Sequence, residues 1–288
     1  MKVQAAIYRY VDERRKAGRF RGRTPQSVEG VLLQFCESCG PIETSQITQR
    51  HVQKWLEAEY ERVCASTLYR KFSVLQVFCD WLRKRDLLKL DPFRDLDAPK
   101  KPDAMPRSLT RDQTEKLFAN LPDTRAELVC SLIFQSALRI GEVAKIEVGM
   151  IDFTNWTAVI EGKGQKQRIV PIFEETQPIL LRYLSEFPAR SGPLIRSYSR
   201  PHQPMTATYL GKLVGRWMTA AGIKSHAYDG VSAHAGRHTA ATDTYAQSKD
   251  IRAVQQLLGH ASLQTTQVYV KSSAENIRLA GSGRKYGA

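Results

Sequence analysis

Residues 257–270 read LLGHASLQTTQVYV, near the end of a basic chain of 288 residues. Apolar side chains follow a helical spacing up to about Gly259, and that spacing resumes over residues 263–270. The stretch therefore predicts two consecutive helices. His260 lies at the end of the first, and Tyr269 follows nine residues later on the second. An imidazole and a phenol thus stand at a fixed separation in a helical part of the chain.

The first 97 residues have the apolar spacing of an all-α domain. Four helically spaced segments are separated by short polar turns, and Thr48 and Ser66 are suitable N-caps for the third and fourth. The aromatic residues Trp55 and Phe78 fall on the apolar stripes of these segments, which favours core positions over platforms for stacking bases. We therefore predict a compact four-helix domain over residues 1–97.

A proline-containing stretch at residues 98–107, APKKPDAMPR, predicts an extended interdomain linker. The remaining residues, 108–288, predict a second domain that is mixed α/β and mostly helical. Its segments WTAVIE (156–161) and RIVPI (168–172) alternate in the manner of strands, and GKGQKQ between them is typical of a β-hairpin turn. We therefore expect a small antiparallel sheet whose turn carries lysines.

Two helices precede that sheet in the second domain. The first begins after Thr110, which with Gln113 forms a capping-box pattern. The second covers most of residues 126–146 and is predicted to break near Gly141. Taken alone, Arg139 would stand at the end of this apolar helix, where a cation interacts favourably with the helix dipole.

The charge of the chain indicates a polyanionic partner. Its 43 Lys and Arg residues exceed its 29 Asp and Glu residues, which gives a formal charge of +14. The excess is shared equally by the parts before and after Ser108, as expected if both domains contact nucleic acid. The alternative is a generally basic protein whose Lys and Arg side chains are only solvated.

Other features indicate a cytoplasmic protein. The chain has no apolar run long enough to span a membrane, and its N-terminus lacks the order of a signal peptide. An odd number of cysteines, five, is typical of a reducing compartment. Cys36 and Cys39 form a C-x-x-C pair but have no second pair at zinc-ribbon spacing, which favours ordinary helix positions over a metal or redox site.

Several side chains of the second domain suit phosphodiester transfer. Two arginines, Arg139 and Arg237, can stabilise the charge on the non-bridging oxygens in place of a metal ion. Tyr269 can act as a nucleophile if nearby cations and an imidazole promote loss of its proton. Lys163, on the hairpin turn, can protonate the oxygen that leaves.

Each of these residues also has an ordinary structural interpretation. Tyr269 alone would most often be a half-buried core residue, and Lys163 alone a solvated turn residue. His234 and His238 stand at the i, i+4 spacing of zinc ligands. No acidic or thiol third ligand is close in sequence, and Arg237 between them would repel a dication, so we expect no metal and no other cofactor.

The joint order of motifs resembles the tyrosine recombinases, the phage integrase family. The motifs are ALRIGE (137–142), GKGQKQRIVPI (162–172), HAGRH (234–238) and LLGHASLQTTQVYV (257–270). The resemblance covers nearly the whole chain. The catalytic residues that it implies are Arg139 and Arg237 on the scissile phosphate, Lys163 as general acid, His234 assisting proton transfer, His260 on the phosphate, and Tyr269 as nucleophile. Glu142 would support the first arginine, and His238 would support the site.

This sequence departs from the usual family pattern at three residues. Gly141 replaces a more usual serine, and Ala235 and Gly236 replace a bulkier pair between the histidine and the arginine. No reacting group is lost. A glycine in a helix lowers helix stability, so Gly236 is expected to loosen the turn that holds Arg237.

The resemblance implies a SAM-like core-binding domain of four helices followed by a catalytic domain, closing as a clamp round duplex DNA. The expected activity is site-specific recombination between two core sites, through a 3′-phosphotyrosine intermediate and a Holliday junction. A homotetramer on DNA, with or without accessory factors, would carry it out. We expect a simple, Xer-like or integrase enzyme without an arm-binding domain, in the nucleoid of a bacterium or encoded by a phage.

Two other functions remain open from the sequence. A type IB topoisomerase would use similar residues to relax DNA, and efficient relaxation of a plasmid without a recognition site would distinguish it from a recombinase. A DNA-binding protein with an idle active site is the second alternative. In that case loss of the Tyr269 hydroxyl would leave every activity unchanged.

Overall fold

The computed structural model describes residues 1–20, 24–100, 107–162, 167–200, 203–225, 231–259 and residue 266. The chain divides into two compact units, Met1–Ala104 and Met105–Ala288. The described residues are mainly helical with a small antiparallel sheet, which confirms the predicted fold class. No helix in these ranges is long and apolar enough to cross a membrane.

The described part of the first unit contains four α-helices, as predicted. They are α1 (Val3–Lys16), α2 (Thr24–Cys39), α3 (Gln49–Tyr60) and α4 (Ala65–Arg83). Thr48 is the N-cap of α3, as expected. The prediction of Ser66 as the cap of α4 was wrong, because the helix begins at Ala65 and its N-cap is Cys64, two residues earlier than predicted. The Cys64 sulfur lies 3.3 Å from each of the hydroxyls of Ser66 and Thr67, in the first turn.

Aromatic side chains form much of the core of the first unit. Trp55 and Phe78 are buried, which confirms their predicted core positions. Tyr10 of α1 meets Phe78 and Trp81 of α4 edge to face, with ring centroids 5.4 and 5.3 Å apart. Such contacts add to the free energy gained by burying the rings, so they tie α1 to α4.

The described part of the second unit contains seven α-helices and three strands. The helices are α5 (Arg111–Ala119), α6 (Thr124–Phe134), α7 (Ile140–Val143), α8 (Gln177–Glu186), α9 (Ala207–Ala220), α10 (Ala233–Ser248) and α11 (Ile251–Leu258). The strands are β1 (Ile151–Asp152), β2 (Thr157–Glu161) and β3 (Gln167–Pro171). Thr110 caps α5, and Gln113 completes the capping box as predicted.

The three strands form an antiparallel sheet in the order β1-β2-β3. The two strands expected from the sequence are confirmed as β2 and β3. Strand β1 was not predicted, because its two residues are too few to show the alternation of apolar and polar side chains. Glu161 pairs with Gln167 at one end of the β2–β3 ladder, and Thr157 pairs with Pro171 at the other. Residues 163–166 of the predicted hairpin turn lie outside the described residues.

The long helix predicted over residues 126–146 is in fact two helices. It does not break near Gly141, which lies inside α7, but ends at Phe134. Ala137 has a left-handed backbone with φ of 52°, and the Leu138 N–H donates to the Leu132 carbonyl at 3.0 Å. This closure is typical of a helix C-terminus. As a result Arg139 is the N-cap of α7 rather than the end of an apolar helix.

Gly236 lies where α10 packs against α6. A Cβ at this residue would stand 2.5 Å from Cε2 of Phe134 and 2.8 Å from Cγ2 of Ile133, closer than side-chain atoms can approach. The expectation that Gly236 loosens the turn that holds Arg237 stays a prediction, but the structure gives this glycine a packing role. The glycine allows α10 to approach α6 closely, and the neighbouring Ala235 is buried in the same core.

We predict that Gly236→Ala destabilises the protein by about 1–3 kcal/mol, because the added methyl group overpacks the α6–α10 contact. Gly215→Ala in α9 is the matched control. A Cβ there meets nothing within 4 Å, so the change should raise stability by about 0.5–1 kcal/mol through helix propensity. Urea denaturation measures both. Equal stability of the two variants would contradict the close approach of α10 to α6.

Candidate active site

The carboxylate of Glu142 lies at the centre of the candidate site. Glu142 is in the single turn of α7, and Arg139 precedes that turn as its N-cap. The Arg139 backbone N–H donates to Glu142 Oε2 at 2.8 Å, and its Nη1 donates to Oε1 at 2.9 Å. A capping interaction therefore also fixes the guanidinium that was predicted to bind the scissile phosphate.

A second arginine, Arg168 of β3, binds the same carboxylate through both of its terminal nitrogens. Arg168 Nη1 donates to Glu142 Oε1 and Nη2 donates to Oε2, each at 2.8 Å. This parallel pair of charge-assisted hydrogen bonds is the strongest arrangement that a guanidinium and a carboxylate can make. It links the sheet to α7.

The third guanidinium is that of Arg237 on α10. Its Nη1 donates to the carbonyl of Ala137 and its Nη2 donates to the carbonyl of Leu258. Nη1 also lies 3.9 Å from Glu142 Oε2. The left-handed backbone of Ala137 thus presents a carbonyl to Arg237, and the end of α11 presents another.

Burial differs sharply among the four side chains. The exposed fraction is 7% for Glu142, 6% for Arg237 and 14% for Arg168, but 40% for Arg139. Arg139 therefore has the guanidinium most accessible to a ligand. Three cations and one carboxylate leave a net charge of +2 at this cluster, which suits an anion.

The surroundings of Glu142 keep it ionised. Burial by itself would raise the pKa of its carboxyl, but hydrogen bonds from Arg168 and Arg139 outweigh burial and lower the pKa from 4.5 to about 2. The site therefore keeps its carboxylate charged at any pH at which the protein is expected to work.

Two histidines of α10 lie beside the arginines. Burial, followed by the charges of Arg237 and Arg139, lowers the pKa of His234. Burial, followed by His234 and Arg237, lowers the pKa of His238. Both effects favour the neutral imidazole at physiological pH, which is the form that can accept a proton.

The structure thus brings together three of the six predicted catalytic residues, Arg139, His234 and Arg237, with the supporting residues Glu142 and His238. Lys163, His260 and Tyr269 lie outside the described residues. The structure does describe their chain neighbours: Gly162 and Gln167 at the base of the hairpin, and Gly259 as the C-cap of α11. The roles of all six residues stay predictions.

Arg168 was not predicted from the sequence, although it lies inside the motif GKGQKQRIVPI. A signal for it was present in strand alternation. Residues two apart on a strand share a face, so Arg168 lies on the same face as Val170, which is buried. A charged side chain on the inner face of a strand requires a buried partner, here Glu142.

The described residues contain no group of three or more His, Cys, Asp or Glu side chains that could hold a metal ion. Cys36 and Cys39, at the C-terminal end of α2, are thiols that form no disulfide. Among the described residues, the positive charge at the site is that of Arg139, Arg168 and Arg237.

Comparison with known proteins shows clear similarity. A profile described as "Phage integrase family" matches residues 107–276. Tyrosine recombinase XerC of Neisseria gonorrhoeae is 32% identical over 218 residues, which cover 73% of this chain and 70% of the relative. Tyrosine recombinase XerC of Anoxybacillus flavithermus is 30% identical over 264 residues, which cover 86% of each chain.

A crystal structure with a similar fold is that of a lambda integrase fragment, solved as a dimer bound to a COC′ core site. It superimposes with a TM-score of 0.80 at 16% sequence identity, covering 100% of this chain and 99% of that chain. At this level of identity the likeness concerns the fold alone. It confirms the predicted fold, a catalytic domain of the tyrosine recombinase type.

We predict a pH-dependent effect of Glu142→Gln, which removes the charge but keeps the shape. At neutral pH it should destabilise the protein by roughly 3 kcal/mol, because three guanidiniums lose their carboxylate. The lowered pKa stabilises the folded state above the unfolded pKa of 4.5, and this contribution is lost as pH falls towards 2. The stability gap between wild type and variant should therefore narrow by about 1 kcal/mol between about pH 5 and about pH 3.5.

Urea denaturation at several pH values measures this gap. Glu175→Gln, at an exposed carboxyl, is the matched control, and at neutral pH it should destabilise the protein far less than Glu142→Gln. A gap for Glu142→Gln that stays constant on acidification would contradict the lowered pKa.

Proposed function

Because this chain belongs to the phage integrase family and is a tyrosine site-specific recombinase, we propose that Tyr269 attacks a phosphodiester of duplex DNA. The phenolate oxygen forms a bond to phosphorus, and the bond from phosphorus to the 5′-oxygen breaks. The products are a 3′-phosphotyrosine and a free 5′-hydroxyl. The covalent link keeps the phosphoester energy, so rejoining needs no nucleotide triphosphate.

The observation that carries this proposal is the cluster of three guanidiniums round Glu142. A phosphodiester carries one negative charge, and attack by a phenolate brings a second. The net charge of +2 at the cluster matches the charge that develops at phosphorus. Arg139, the most exposed of the three, and Arg237 are the arginines that we assign to the non-bridging oxygens.

Proton transfers complete the reaction. His234 accepts the phenol proton from Tyr269, a role that its lowered pKa supports because the imidazole is neutral. Lys163, on the turn predicted from the sequence, donates a proton to the departing 5′-oxygen, and His260 donates a hydrogen bond to the phosphate. His238 supports His234. The same groups, with their protonation states reversed, catalyse rejoining.

Both units contribute to DNA binding in this proposal. The relatives are bacterial tyrosine recombinases, and a neighbour of similar fold was solved on a core site. We assign residues 1–97 to core-site binding, 98–107 to the linker and 108–288 to catalysis. Four copies acting on two core sites would exchange strands in two steps through a Holliday junction, in a bacterial cytoplasm. The positive charge on both parts of the chain supports this assignment.

We predict that Tyr269→Phe abolishes the covalent protein–DNA adduct and changes DNA affinity by less than about twofold, because only the nucleophilic oxygen is lost. The assay uses a nicked duplex that carries the recognition site, so that the product strand diffuses away and the adduct accumulates. Denaturing gels detect the adduct. Tyr60→Phe, at an exposed tyrosine of the first unit, is the matched control and should form the adduct normally. An adduct formed by Tyr269→Phe would contradict the assignment of the nucleophile.

We predict that Lys163→Ala slows cleavage of ordinary DNA by about 10²–10⁴-fold, since a general acid contributes about that much. A 5′-bridging sulfur in place of the oxygen should restore the rate, because a thiolate leaves without protonation. Lys116→Ala, at an exposed lysine of α5, is the matched control and should cleave both substrates at the wild-type rate. Failure of the sulfur substrate to restore cleavage would argue against Lys163 as the acid.

A further inference from the structure

The side chain of Arg168 is mostly buried and lies within the cluster of arginines around Glu142. Its side chain is 14% exposed, both terminal nitrogens bind Glu142, and its Nε is buried without a hydrogen-bond partner among the described residues. A buried ion pair is often no more stabilising than a well-packed apolar pair. Anchoring β3 to α7 is therefore a weak reason for an arginine here, and a role in the site is a stronger one.

The contacts of Glu142 show how Arg168 acts on Arg139. Oε1 accepts from Arg139 Nη1 and Arg168 Nη1, and Oε2 accepts from the Arg139 backbone N–H and Arg168 Nη2. The planar guanidinium of Arg168 spans both oxygens, so it fixes the plane of the carboxylate. Without it the carboxylate could rotate about its last side-chain bond, and the Arg139 guanidinium would lose its fixed partner.

Arg168 also contacts the end of α11. A Cβ built on Gly259 would lie 2.6 Å from Arg168 Cδ and 3.0 Å from Nε, so the arginine stem passes directly over the glycine backbone. Gly259 is the left-handed C-cap of α11, and the carbonyl of Leu258, one residue earlier, accepts a hydrogen bond from Arg237. Strand β3, helix α7 and the last turn of α11 therefore meet at one side chain.

We propose that Arg168 is a positioning residue of the recombinase site, which orients Arg139 towards the scissile phosphate through the carboxylate of Glu142. This inference rests on the proposed function, because it assumes that the Arg139 guanidinium binds the phosphate. Arg168 itself donates to Glu142 and is mostly buried, so it does not touch the DNA. We therefore expect substitutions of Arg168 to change the rate of the chemical step and to leave DNA affinity nearly unchanged.

The nature of the side chain matters as much as its charge. A lysine at residue 168 would keep the cation but would place a single ammonium group near Glu142. It could not span both oxygens in one plane. If only the positive charge matters, Arg168→Lys should react like the wild type, and if the bidentate geometry matters, it should react more slowly. Because Arg168→Lys keeps the charge, it can also be tested if the neutral variant Arg168→Gln fails to fold.

The test measures single-turnover adduct formation at saturating DNA, together with DNA affinity. We expect Arg168→Gln to slow adduct formation by about 10²-fold and Arg168→Lys by about 10-fold, because small misplacements of catalytic groups cost this much. DNA affinity should change by less than about twofold. Arg182→Gln is the matched control, because it breaks an ion pair with Glu127 on a more exposed surface of the same unit, and it should react at the wild-type rate.

A double-mutant cycle with Glu142→Gln separates positioning from a purely structural role. If Arg168 acts through Glu142, the double variant Glu142→Gln with Arg168→Gln reacts no slower than the slower single variant. Multiplied effects of the two changes would overturn the proposal, and so would wild-type rates for Arg168→Lys. Near-ultraviolet circular dichroism confirms that each variant used is folded, and if Arg168→Gln is not, the cycle is run with Arg168→Lys.

The two proposals fail in different ways. If the wild-type protein forms no adduct on any nicked duplex that it binds, the proposed function fails and the role of Arg168 in catalysis fails with it. If the wild type forms the adduct and the Arg168 variants match it, only the positioning role fails.

Discussion

One buried carboxylate holds the described part of the site together. Glu142 accepts four hydrogen bonds from two arginines and lies 3.9 Å from a third. Three guanidiniums at such short range would repel one another strongly in a medium of low polarity, and the carboxylate offsets that repulsion. It remains ionised because the hydrogen bonds from Arg168 and Arg139 outweigh the cost of burying it. The partners of Glu142 come from a helical turn, a strand and a long helix.

The backbone around this carboxylate is arranged to bring those elements close. Gly236 lets α10 approach α6 at a distance that any side chain would prevent, and Arg237 follows Gly236 directly. Ala137, between α6 and α7, has a left-handed backbone, which costs roughly 1 kcal/mol in a residue other than glycine. In this conformation its carbonyl accepts a hydrogen bond from Arg237. The left-handed backbone of Ala137 and the close helix contact at Gly236 therefore both help to place the buried side chain of Arg237.

The arginines differ in what they can do because they differ in exposure. Arg237 is mostly buried and is held by two backbone carbonyls, so its guanidinium is fixed before any ligand arrives. Arg139 is partly exposed and can meet a phosphate with the edge that Glu142 leaves unused. Fixed charges of this kind need little reorganisation as negative charge develops, and that is the main advantage of a preorganised site. The neutral histidines of α10 add proton acceptors to the same surface.

The sequence by itself determined the helices, the strands of the hairpin and the chemical types of the site. Helical and alternating spacing depend on neighbours a few residues away, so α3, α5, β2 and β3 were predictable, as were Arg139, Glu142 and Arg237 from their motifs. Local rules failed where tertiary packing decided the outcome. They placed the break of the α6 region at Gly141, and they did not indicate that α10 approaches α6 closely at Gly236.

Only the tertiary structure showed that Arg168 binds Glu142, that its stem crosses Gly259, and that Gly236 accommodates Phe134. Each of these contacts joins residues at least 26 positions apart in the chain. No periodicity of the sequence encodes such a pair, because its distance depends on how whole elements pack. The sequence therefore specifies which groups are present, whereas the packing of α6, α10 and the sheet decides which of them meet.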